Sequence, residues 1–251
     1  MLKPYDITSH ATRGAISSAM TRIKRDALGR GPSRARTYAC DSIVFCVLDD
    51  GLTPAELSLK RMGREDVVRR ERMSLATAMA GDVVREVEQI TGATVLQYVS
   101  QIVFDPDMSI DMLVLDRPLG FESPDDAGCS RAAIANGIAH LMCDQWGKGP
   151  TRSRAHLEGD VAFCVLEAPL TRTEQTLLAA GDERSVRELR ATLCELASEL
   201  FASVVQRASG RRVLACAAQV TFDPEAVFLF FALEPDSQIS SDVVLSAQRF
   251  R

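Results

Sequence analysis

The amino-acid sequence contains its own copy: the segment from about Arg13 to Asp116 aligns without a gap onto the residues 118 positions further along. Gly29-Arg30-Gly31-Pro32 returns as Gly147-Lys148-Gly149-Pro150, and Phe45-Cys46-Val47-Leu48 as Phe163-Cys164-Val165-Leu166. The same step carries Leu52-Thr53 and Glu56 onto Leu170-Thr171 and Glu174. It carries Gln101 and Phe104-Asp105-Pro106 onto Gln219 and Phe222-Asp223-Pro224. Roughly a third of the aligned positions are identical, and a period this long denotes two whole domains rather than a solenoid of small units. The chain therefore divides into repeat 1 (residues 1–119), a linker (120–130), repeat 2 (131–236) and a tail (237–251). Turn-forming and acidic residues dominate the linker, among them Gly120, Ser123-Pro124-Asp125-Asp126 and Gly128.

Each repeat must close its own core. Hydrophobic residues at 46% against charged residues at 25% supply enough apolar material for that. A formal net charge of −5 argues against a nucleic-acid binder, which needs cations against phosphate. Seven cysteines, an odd number without a C-x-x-C pair, fit reduced thiols in a cytosol better than a disulfide framework. The N-terminal Met1-Leu2-Lys3-Pro4-Tyr5-Asp6 has no apolar signal region, and no apolar run approaches the roughly 20 residues of a membrane span. The expectation is a cytoplasmic protein with no export signal and no span of its own.

Two copies let each element be read twice. Ile16, Ala19, Met20, Ile23 and Ala27 recur at helical spacing, as do Ile134, Ile138 and Leu141, which predicts a first helix from about residue 13 to residue 28 and its mate. The Gly-x-Gly-Pro segment ends it, because glycine accepts left-handed geometry and proline cannot continue a helix. Residues 34 to 39 alternate, and Ile43 to Leu48 is a continuous apolar run suited to a strand covered on both faces. Asp41-Ser42 and Gly159-Asp160 suit the turns between these strands. Thr53-Pro54-Ala55-Glu56 and Thr171-Arg172-Thr173-Glu174 are capping boxes that start a short helix. After a break near Gly63 and Gly181, one long helix per repeat is expected, ending at Gly92 and at Gly210. Two more strands, joined in repeat 1 by Asp105-Pro106, complete the unit. The order α-β-β-α-α-β-β predicts an α+β fold, each repeat a four-stranded, mostly antiparallel sheet with helices packed on one face. The repeats are expected to pair face to face as an intramolecular pseudo-dimer.

Two sets of cations recur in both copies. Beside the loop of Gly29, Gly31 and Pro32 lie Arg30, Arg34 and Arg36; beside Gly147, Gly149 and Pro150 lie Lys148, Arg152 and Arg154. Arginines two apart on a strand point to one face, and their forked donors suit phosphate or carboxylate. This set reads as an anion site or an acidic-partner surface, or else as a helix cap followed by a solvated strand face. It is not a P-loop, whose G-x-x-x-x-G-K-[ST] spacing is absent. The long helix supplies the second set. Its stripe of Val68, Leu75, Met79, Val83, Val87 and Ile90 is interrupted by Arg72. The stripe of Val186, Leu193, Ala197, Phe201 and Val205 is interrupted by Arg190, and Arg69 and Arg187 precede the two arginines. A buried guanidinium needs a partner. Glu56 and Glu174, Asp105 and Asp223, or a bound anion could serve; alternatively the head snorkels to water. Gln101 and Gln219, in otherwise apolar strands, read as bonded to a neighbouring loop.

The remaining chemistry is sparse. His10, His140 and His156 do not repeat, no Cys/His/carboxylate set has metal-site spacing, and no Ser or Cys sits in a nucleophile motif. No metal, cofactor or catalysis is therefore expected, and Cys46 and Cys164 read as core residues.

Trp146-Gly147-Lys148-Gly149-Pro150, Leu170-Thr171-x-x-Glu174 and Val186-Arg187 ahead of the long helix, with their counterparts in repeat 1, resemble the MpsC-like (YbcI-like) bacterial domain family. That family is named for a Na+-translocating membrane-potential-generating system. The resemblance covers nearly the whole of each copy; repeat 1 departs from it with Leu28 in the place of Trp146. It implies a soluble accessory or regulatory protein that partners a membrane transporter or signalling protein, in cation-linked potential generation or inorganic-carbon uptake. The residues also allow a small-anion or nucleotide sensor built on the repeated arginines and, with least support, an enzyme with an unrecognised site. Internal carboxylates on Arg72 and Arg190 would remove the sensor's best residues, whereas guanidinium groups facing an open cavity would favour it.

Overall fold

The computed structural model describes residues 10–119 and 128–235, which form two compact units. Repeat 1 runs α1 (His10–Leu28), β1 (Arg34–Cys40), β2 (Ile43–Asp49), α2 (Pro54–Arg61), α3 (Glu65–Thr91), β3 (Val95–Val103) and β4 (Met108–Leu115). Its strands form one antiparallel sheet in the order β1-β2-β4-β3. Repeat 2 runs α4 (Gly128–Trp146), β5 (Arg152–Glu158), β6 (Val161–Glu167), α5 (Arg172–Ala179), α6 (Glu183–Leu196), α7 (Ser198–Ser209), β7 (Val213–Phe222) and β8 (Glu225–Leu233). Its sheet order, β5-β6-β8-β7, is the same. The α+β architecture is as expected. The tail and the linker as far as residue 127 lie outside the described residues.

Local chemistry explains the boundaries. Gly29 and Gly147 stop the first helix of each repeat at φ 70° and 73°. Their N–H groups donate to Arg25 O and Cys143 O at 2.9 Å. Both capping boxes are formed: the threonine hydroxyl accepts the glutamate N–H, and the glutamate accepts the threonine N–H at 2.7 Å. Ile16, Met20 and Ile23 of α1, with Met79, Val83 and Val87 of α3, cover one face of the first sheet over Val44, Cys46, Leu48 and Leu113. In repeat 2, α4 and α7 do the same over Cys164, Leu166, Leu229 and Phe231.

One expectation fails. The long helix is continuous in repeat 1, but in repeat 2 it breaks at Ala197 into α6 and α7. After the break α7 packs tightly on α4: a Cβ on Gly137 of α4 would lie 2.6 Å from Val204 Cγ1 of α7. Repeat 1 has Ala19 and Glu86 at those positions, and there the helix runs straight through.

The two interiors differ in a second way. Thr37, Cys46, Asp111 and Ser100 stand side by side across the first sheet, on the helix-covered face. From α1, buried Lys24 places Nζ 3.0 and 3.1 Å from the Asp111 carboxylate oxygens and 3.4 Å from Ser100 Oγ. Tyr98 donates its hydroxyl to Asp111 at 2.6 Å, and Ser17 meets Thr37 at 2.7 Å. Burial, then the Asp111 charge, pushes the Tyr98 phenol far up. Repeat 2 has Ala155, Cys164, Leu229 and Ala218 in the same row, with Met142 for Lys24, Cys216 for Tyr98 and Ala135 for Ser17.

Lys24→Met alone would strand the Asp111 carboxylate in an apolar core, at a cost of about 3–5 kcal/mol. The triple variant Lys24→Met/Tyr98→Phe/Asp111→Leu brings the apolar solution of repeat 2 to repeat 1 and should recover most of that loss. Urea unfolding of both variants measures the difference; a triple variant as unstable as the single one would contradict the reading.

Candidate functional site

In each repeat the arginine that interrupts the apolar stripe turns inward onto the capping-box glutamate. Arg72 donates from Nε to Glu56 Oε1, and from Nη2 to Glu56 Oε2 and to Gly51 O, both at 2.7 Å. Arg190 repeats the pattern: Nε to Glu174 Oε1 at 2.5 Å, Nη2 to Oε2 at 2.6 Å and to Pro169 O at 2.8 Å. The Arg190 and Glu174 side chains are each 1% exposed, Arg72 and Glu56 10% and 6%. Arg190 also lies 5.1 Å from the centre of the Trp146 ring, a cation–π contact that repeat 1, with Leu28, lacks.

Two opposed effects set the charge of these glutamates. Burial pushes both carboxyls up. Hydrogen bonds from the arginine and from the threonine of the box, with the arginine's charge, outweigh burial and hold both below the ordinary glutamate value. The pair is thus ionised, bidentate and closed on itself.

The other predicted cations are placed as follows. Arg69 points to Ile102 O over the Phe104 ring, and Arg187 donates to Val220 O at 2.9 Å over the Phe222 ring. Arg30 donates to Leu52 O at 3.0 Å, and Lys148 donates to Leu170 O. Arg36 pairs with Asp49, and Arg154 with Glu167, diagonally across the strands. Arg34 and Arg152 remain exposed and, among the described residues, make no hydrogen bond or ion pair. Asp105 is taken by Lys60 rather than by Arg72. Gln101 and Gln219 lie half-buried on the sheet faces turned away from the helices. Eight of the ten cations therefore brace the protein's own loops and strands.

Two solvent-open depressions are found in repeat 1, about 410 Å³ between α1 and β1 and about 520 Å³ over α2. Neither contains Arg72. Burial pushes Cys46 and Cys216 up to about 12 and Cys194 to about 11, so these thiols stay protonated at neutral pH. Among the described residues no His, Cys, Asp or Glu cluster could hold a metal ion, and no helix is long and apolar enough to cross a membrane.

The family model described as Na+-translocating membrane potential-generating system (MpsC) matches residues 8–117 and, a second time, residues 127–234. The chain belongs to the MpsC family. No curated protein and no solved structure matches it. The second match begins near the start of α4, so this MpsC-family chain carries the domain twice, each copy with its own arginine–glutamate clamp.

Arg190→Leu leaves Glu174 uncompensated and should cost about 3–5 kcal/mol, more than Arg72→Leu at its wetter site. The clamp also sets a pH dependence. Because the folded glutamate pKa values are depressed, their contribution is complete above the unfolded carboxyl value of about 4.3 and is lost as pH falls through the folded values. Unfolding midpoints of the parent and of Glu56→Gln/Glu174→Gln should therefore differ most at neutral pH and converge on acidification. A gap that stays constant down to low pH would refute the assignment.

Proposed function

We propose that the chain is a non-catalytic, cytoplasmic accessory or regulatory component of a membrane ion- or inorganic-carbon-transport system, acting through contact with another protein. The observation that carries this reading is membership of both repeats in a family described by a Na+-translocating membrane potential-generating system. No described helix can cross a membrane, so a helical ion path would come from a partner. The inward clamp weighs against the anion-sensor alternative, because the two arginines best placed for it are neutralised by Glu56 and Glu174.

Deleting the gene and following membrane potential with a voltage-sensitive dye, in sodium-rich and sodium-free medium, tests the reading. The sodium-dependent part of the potential, or growth at limiting bicarbonate, should fall and return when the intact chain is supplied. Unchanged potential and growth would sink it.

A further inference from the structure

Repeat 2 exposes a row of leucines where repeat 1 does not. Leu189, Leu196 and Leu200 are 41%, 77% and 45% exposed, with half-buried Leu193 between them. Spacings of seven and four put them on one side of α6 and α7. The hydrogen bonds Ala197 N to Leu193 O and Phe201 N to Ala197 O keep the helical step across the break. The matching positions in repeat 1 are Glu71, Ala78 and Asp82, which are also exposed to solvent. The same place in the same fold thus carries opposite chemistry, so the leucines are not demanded by the architecture.

Carboxylates border the row. On a helical wheel Glu188, Glu195 and Glu199 fall together along the edge away from the core, where repeat 1 has Arg70, Thr77 and Gly81. Glu188 meets Arg184 only at 3.7 Å on the open surface, and Glu195 and Glu199 have no ion pair among the described residues.

We propose that this face of α6 and α7 docks a basic amphipathic helix of a partner protein. Its apolar side would lie on the leucines while lysines or arginines meet the three glutamates. The charges select among occupants. An anionic lipid surface is repelled by the acidic border. A second copy, packed face to face through the same patch, would set glutamates against glutamates. Basic segments are what the inner loops of membrane proteins present; that source rests on the function proposed above, whereas the chemistry of the face does not.

The test uses the full chain and two labelled synthetic helices with the same leucine face, one flanked by lysines and one by glutamates. In fluorescence anisotropy the leucine–lysine helix should bind saturably and the leucine–glutamate helix should not. Leu189→Gln/Leu196→Gln/Leu200→Gln, at three exposed positions, should weaken binding about tenfold or more. Glu195→Lys/Glu199→Lys should weaken it as well, and it provides an independent variant if the first fails to fold. Equal binding of both helices, or parental affinity in a folded variant, overturns the proposal. So does a parental dimer in sedimentation that dissolves in the glutamine variant, which would give the face to a second copy. In the deletion strain, full rescue by the glutamine variant removes the docking role and leaves the accessory reading standing. A deletion without phenotype removes that reading, and peptide binding alone then decides.

Discussion

Glu56 and Glu174 accept hydrogen bonds from two directions at once. One oxygen closes the first turn of the short helix that follows the first hairpin, and the pair of oxygens receives the arginine of the next helix. That same arginine reaches the carbonyl of the loop leaving the central strand, Gly51 or Pro169. Three consecutive segments, the loop, the short helix and the helix after it, are thereby fixed to one another by a single ion pair. Such a pair, out of water, is tolerated because Nε and Nη2 of the arginine and both oxygens of the glutamate are bonded, while Nη1 of Arg190 has no hydrogen-bond partner among the described residues. With it in place the short helix has a defined position, and the long helix can hold its apolar stripe over the sheet.

How much of this was legible depended on how many residues each feature involves. The capping boxes are local, four consecutive residues, and could be read directly. The arginines stood out because each interrupts a periodic stripe in both copies. Their partner could not be chosen from sequence, since Glu56, Asp105 and a bound anion satisfy the same charge; the approach of α2 to α3 makes the choice, and Lys60 takes Asp105. Lys24 and Asp111 carry no repeated signal, because this pair exists in only one copy. Its trace was there all the same: an aspartate in the apolar run of β4 where the other copy has Leu229. The break at Ala197 has no local signal, as alanine is the best helix former. It accompanies a tertiary contact at Gly137.

The two copies have kept the clamp and diverged on either side of it. Repeat 1 is distinguished in its interior, by a row of hydroxyls and a buried ion pair. Repeat 2 is distinguished on its surface, by leucines bordered with acid. The duplicated domain thus keeps its frame and differs in one core and one helix face.

The unequal interiors also bear on how such a chain is made. Two similar domains emerging one after the other invite a helix of one to settle on the sheet of the other. If α1 lay over the second sheet, the Lys24 ammonium would face Leu229. If α4 lay over the first, Asp111 would face the Met142 thioether. Either crossing leaves a buried charge without its counter-ion, a penalty of several kcal/mol that the correct pairing avoids. A single lysine and a single aspartate thus make the two ways of matching helix to sheet unequal in energy, in favour of each helix on its own sheet.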